Sequence, residues 1–207
     1  MCQIQLNFIG EYYQAGVNGL KYAASKGIGV VIMEPLFGGL LGESIPQDII
    51  EKWDSSGIKR TPAEWAFRWL ANFKEVTVIL SGVSSMEQLK EDIEIFDYAF
   101  KDFISEKEAH VFEEVKKLYE RKIKVKCTGC SYCMPCSSGV NIPGVFWHYN
   151  RSLMGDPEIW KKDYKSWFCN HNMDASQCNE CGQCEEACPQ HITVIDKLKE
   201  SQKYLMS

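Results

Sequence analysis

The chain has 207 residues, room for one or two domains, and an ordinary hydrophobic fraction of 45%. Its net charge of −5 excludes the basic footprint of a nucleic-acid binder. The longest apolar stretch, Ile28 to Leu41, is interrupted by Glu34 and is too short to span a bilayer.

Gln3 to Phe8 alternates and stops before Gly10, which predicts a short strand. Tyr12 to Lys26 has helical spacing, with Gly27 placed to end the helix. Ile28 to Met33 is continuously apolar and β-branched, as in a strand buried on both faces. A turn at Glu34 to Gly39 and a short helix over 46–56 follow. Thr61-Pro62-Ala63-Glu64 is a capping box with proline at the first helical position. Val76 to Leu80 reads as another buried strand. Capping boxes at Ser85 and Ser105 open helices reaching Tyr98 and Lys122. This β-α-β-α-β-α order predicts parallel βα units, with two open sheet edges and an uncovered face.

At Lys122 the character changes, because the whole net charge lies in residues 1–122 and residues 123–207 are balanced. Lys122, Lys124 and Lys126 lead into Cys127-Thr128-Gly129-Cys130-Ser131-Tyr132-Cys133-Met134-Pro135-Cys136. Its echo is Cys178-Asn179-Glu180-Cys181-Gly182-Gln183-Cys184-Glu185-Glu186-Ala187-Cys188-Pro189. The second run has the ferredoxin spacing C-x2-C-x2-C-x3-C-P, and the first closes one residue early. Such a loop wraps three corners of a [4Fe–4S] cube, and in two-cluster ferredoxins the fourth ligand comes from the other run. The spacing therefore assigns cluster I to Cys127, Cys130, Cys133 and Cys188, and cluster II to Cys178, Cys181, Cys184 and Cys136. Zinc prefers paired knuckles well apart in sequence. Disulfides need an oxidising compartment, for which no signal peptide is present, so the expected location is cytoplasmic. An aromatic-rich connection over 137–177 predicts helices over 145–154 and 158–167, and Ile192 to Tyr204 predicts a last one. Trp147, Trp160 and Trp167 read as core and cluster shielding, and Cys2 and Cys169 as small buried hydrophobes.

These residues together resemble the late strands of an aldo/keto reductase, in the branch that carries a C-terminal ferredoxin-type domain. Gln3-Ile4-Gln5-Leu6-Asn7-Phe8 is similar to the sixth strand of that (β/α)8 barrel. Gly27 to Leu36 resembles the seventh, and Ile79 to Leu89 the eighth with its cofactor turn. The cysteine runs with Gly139-Val140-Asn141-Ile142-Pro143 match the appended domain. The implied fold is α/β plus α. A partial (β/α)8 barrel, its last three βα units, occupies residues 1–122, and an all-helical two-cluster ferredoxin-like domain occupies 123–207.

In that family the catalytic Asp, Tyr, Lys and His lie on the first four strands. The resemblance thus implies a C-terminal portion that alone is inactive in carbonyl reduction. Cofactor contact carries over to Gln3 at the nicotinamide carboxamide and to Leu36 and Gly38 over the pyrophosphate. It carries over also to Gly82, Ser84 and Gln88 at the adenosine phosphate, so an intact barrel would take NAD(P)H. Met33 stands where many members place an aromatic ring, and Asp92, after Glu91, where asparagine is frequent.

The expected function is iron–sulfur electron transfer in an oxidoreductase. The alternative is a non-catalytic ferredoxin-like subunit that docks on a partner. The expected partner is a redox protein or the missing N-terminal barrel half, with neither nucleic acid nor membrane involved.

Overall fold

In the computed structural model, which describes residues 1–99 and 104–207, the three strand segments pair in parallel. These are β1 (Cys2–Gln5), β2 (Val30–Met33) and β3 (Val76–Ile79), in the order β1-β2-β3. Ile4 lies opposite Ile32, and Val31 opposite Val78. The helices around them are α1 (Gly16–Ser25), α2 (Gln47–Asp54), α3 (Pro62–Ala71), α4 (Met86–Ala99) and α5 (Glu106–Lys122).

The sheet is covered on one face. Helix α1 packs on β1 and β2, and α3 packs on β3. Val30 and Ile32 are buried, whereas Val31 and Met33 are only half-covered. Two-sided burial of β2, expected from its continuous apolar run, is therefore not observed. The same holds for Val76 to Leu80, where the edge position of β3 leaves Val78 and Leu80 each 43% exposed.

Local chemistry sets the helix ends. Helix α1 begins at Gly16 rather than Tyr12, because the chain from Gly10 is still turning. Gly16 has φ +53°, and a Cβ there would sit 2.5 Å from the Glu11 carbonyl oxygen. At α3, Thr61 Oγ1 accepts from the Glu64 N–H at 3.1 Å. The Glu64 carboxylate does not return to Thr61, but takes Arg68 Nε at 2.8 Å and Arg60 Nε at 3.3 Å. At α5 the capping box closes both ways. Ser105 Oγ accepts from the Glu108 N–H at 3.3 Å, and Glu108 Oε2 accepts from the Ser105 N–H at 2.8 Å. The core beside these ends is aromatic. Trp53 stacks on Trp65 at 4.5 Å, and Phe112 meets both rings edge-on.

The chain divides into two compact units, Met1–Tyr119 and Glu120–Ser207. The second contains α6 (Ile142–Met154), α7 (Pro157–Trp167), the single turn α8 (Gln183–Glu186) and α9 (Val194–Leu205). Asn141 caps α6 through the Gly144 N–H, and Asp156 caps α7 through the Glu158 N–H. Val140, Val145, Phe146, Tyr149, Tyr164, Phe168, Leu198 and Leu205 form its core. Trp147 and Trp167 are not part of it, being 44% and 59% exposed, because each lies on the outer side of its helix. Trp147 instead lies under the Arg151 guanidinium at 4.1 Å.

Tyr164 ties this core together. Its hydroxyl donates to Gln202 Oε1 at 2.6 Å and accepts from the Ala175 N–H at 2.9 Å, and the residue is fully buried. Tyr164→Phe leaves both partners without the oxygen. The expected cost is about 1–3 kcal/mol, measured by denaturant unfolding against the parent protein.

Candidate metal centre

The two cysteine runs share one local backbone feature. In the first, the residues on either side of the second cysteine, Gly129 and Ser131, are left-handed at φ 68° and 64°. In the second, the equivalent Glu180 and Gly182 are left-handed at 60° and 81°. Each run thus makes the same double bend about its second cysteine. In each bend one of the two positions is filled by glycine, which adopts this conformation without steric cost.

The bends gather the thiols around two cavities. Cys127, Cys130, Cys133 and Cys188 line one, with Ile142, Phe146, Ile192 and Val194 as its apolar wall. Cys136, Cys178, Cys181 and Cys184 line the other, with Ile195 and Leu198 behind them. Cys133 lines both. The last cysteine of each run therefore sits with the opposite run. Cys169 lines neither cavity, and its Sγ faces Met206 Sδ at 3.8 Å. Among the described residues no three His, Cys, Asp or Glu side chains converge as a single-ion site requires. Each set of four thiols instead lines a common cavity.

Burial pushes the Cys127 and Cys133 thiols up, and neighbouring Cys130 and Cys188 add to the rise. Burial likewise pushes Cys184 up to about 11, with Cys178 adding to it. Such thiols keep their protons near neutral pH until a metal displaces them. Two polar groups face the sulfurs: the Gly129 N–H donates to Cys127 Sγ at 3.5 Å, and the Ser137 hydroxyl lies 3.9 Å from Cys181 Sγ.

A third cavity, of about 510 Å3, opens at the C-terminal ends of β2 and β3. Leu36, Gly38, Gly82, Ser84 and Gln88 all line it. Gln3 does not, but its Nε2 donates to the sulfur of Met33, a lining residue, at 3.1 Å. The loop after β2 is left-handed at Glu34, Phe37, Gly38 and Gly39. Buried Asn7 anchors it, donating to the Glu34 carbonyl at 3.1 Å while accepting from the Gly10 N–H at 2.7 Å. Gln88 Oε1 accepts from the Ser84 N–H at 2.7 Å and from Ser84 Oγ at 3.1 Å, and Gln88 Nε2 donates to Glu43. Glu43 also lines the cavity and carries no motif that marks it in the sequence.

No curated protein and no solved structure matches the chain. Two family models do. Residues 126–193, which include every cysteine of both runs, match a 4Fe-4S dicluster domain. Residues 1–107 match the aldo/keto reductase family. That second match takes in more than half of the chain and all three strands, so the protein belongs to the aldo/keto reductase family, with a helical ferredoxin-type dicluster domain following its parallel βα segment.

Proposed function

We propose that the protein is an iron–sulfur electron-transfer oxidoreductase. Residues 1–122 are the last three βα units of a (β/α)8 barrel, and residues 123–207 hold two [4Fe–4S] clusters. The observation that carries this reading is the crosswise placement of Cys136 and Cys188, each of which lines the cavity of the opposite run. Cys127, Cys130, Cys133 and Cys188 hold cluster I, and Cys178, Cys181, Cys184 and Cys136 hold cluster II. Each cube, when bound, supplies one-electron chemistry. The chain supplies the apolar wall that keeps water from the buried corners, and the Gly129 and Ser137 polar groups that tune the sulfurs. The cubes and their thiolates suit the reducing cytoplasm.

The cavity at the strand ends is the nicotinamide site of this reading. Among the described residues the Gly38 and Gly39 N–H groups donate to nothing, which leaves them for a diphosphate. Gln3, beside Met33, serves the carboxamide end, and Gly82, Ser84 and Gln88 serve the adenosine end. A redox protein, or the N-terminal half of a barrel, is the partner for the open sheet face.

A second reading is a non-catalytic ferredoxin-like subunit that docks on another protein. It is favoured by the exposed apolar residues Met86, Leu89 and Ile93 of α4. Cluster bleaching by a nicotinamide dinucleotide supports the first reading. Bleaching by a protein donor alone supports the second. Anaerobically purified protein is expected to be brown, with about eight iron and eight acid-labile sulfide per chain. Stoichiometric zinc without sulfide defeats both readings.

A further inference from the structure

We infer that the cavity at the ends of β2 and β3 discriminates against a phosphate on the adenosine ribose and takes the unphosphorylated dinucleotide. This inference rests on the dinucleotide reading above. Four carboxylates line the cavity, those of Glu34, Glu43, Glu91 and Asp92, and among the described residues no Lys, Arg or His does. Three of them, Glu43, Glu91 and Asp92, share it with Gln88, on the side assigned to the adenosine. Gln88 offers a phosphate little help. Its oxygen is held by Ser84, and its amide donates to Glu43, fixing that carboxylate at the cavity. Lys90, on the same helix, does not line the cavity.

A ribose phosphate is a dianion near neutral pH and is recognised by paired cations, arginine above all. Here it meets negative charge, and like charges brought together without a counter-ion oppose binding. A ribose diol has two hydroxyl donors, and a carboxylate is an acceptor for them, as in dinucleotide sites that select against the phosphate. The free Gly38 and Gly39 N–H groups lie in the loop after β2, so the diphosphate has donors apart from the Gln88 side.

The test is calorimetric titration of the full cluster-loaded chain with NADH and with NADPH at low ionic strength. NADH is expected to bind more tightly by on the order of tenfold or more. The ratio should fall towards unity as salt screens the carboxylates, and also in the combined Glu43→Gln, Glu91→Gln and Asp92→Asn variant. NADPH binding as tightly as NADH overturns the inference and leaves the dinucleotide reading intact. So does a preference that survives both salt and the neutral variant. Failure of both dinucleotides to bind the parent chain overturns the inference together with the reading of the cavity.

Discussion

Replacing Cys136 with alanine is expected to remove the cluster held by Cys178, Cys181 and Cys184, and to lower the iron content from about eight to about four per chain. The affected cluster is on the far run, because Cys136 lines the cavity of the second run and Cys188 lines that of the first. Cys188→Ala should do the reverse and spare the second-run cluster. In each case the lost cluster joined two segments across the 137–177 connection, so the helical module should become more open to protease there. Ligand binding and chain ordering are coupled in small metal-dependent domains. Cys136→Ser, which keeps an oxygen ligand at the site, should retain more iron than the alanine variant. Site-resolved spectroscopy of the two alanine variants provides the measurement. If Cys136→Ala instead empties the site of Cys127, Cys130 and Cys133, the crosswise ligation is wrong.

Glu108→Ala is expected to cost about 1–3 kcal/mol, because it removes one of the two carboxylates paired with a largely buried arginine, leaving it Glu64 alone. Glu108 pairs with Arg60 NH1, and their side chains are 7% and 15% exposed. The Arg60 guanidinium also lies 4.8 Å over the Trp65 ring, at the edge of the aromatic core. The same carboxylate closes the capping box of α5 with Ser105, so one substitution removes both a helix cap and an ion pair. Burial pushes the Glu108 carboxyl up, but hydrogen bonds from Ser105, and then the bond and charge of Arg60, outweigh it and hold the group below the usual range. Its folded pKa is thus below its unfolded one. The stabilisation is complete above the unfolded value of about 4.3 and is lost as pH falls through the folded value. Glu108→Gln should remove that part of the acid dependence. An acid limb unchanged by Glu108→Gln, or a loss under 1 kcal/mol in Glu108→Ala, would show the pair to be solvent-screened.

What could be read from sequence was what is encoded locally. The caps at Thr61 and Ser105 rest on residues three apart, and the structure forms both. The cysteine runs carry their ligand chemistry in their spacing. The faces of the strands were not legible in this way. Val30 to Met33 is apolar at every position, and only the helices packed on the Val30–Ile32 side show which face is covered. The start of α1 was misread because Tyr12 and Tyr13 fit a helical period while Gly16 bends the backbone out of it. Helix α8 went unseen because cysteine spacing dominates the stretch in which Gln183–Glu186 turn. In the cysteine bends, Gly129 and Gly182 hint at left-handed backbone, but Ser131 and Glu180 adopt it with ordinary side chains. Glu43 joins the cavity at the strand ends through a tertiary contact with Gln88, to which no neighbouring residue points.

The double bend in each run also decides which cysteine faces outward. Cys130 and Cys181, at the centres of the two bends, are exposed, while the other six run cysteines are half-covered. Cysteine oxidation follows thiolate character and access. Dissolved oxygen and peroxide therefore meet these two sulfurs first. Survival in air is then governed at two positions rather than eight, and a protein seated over those bends would shield both clusters.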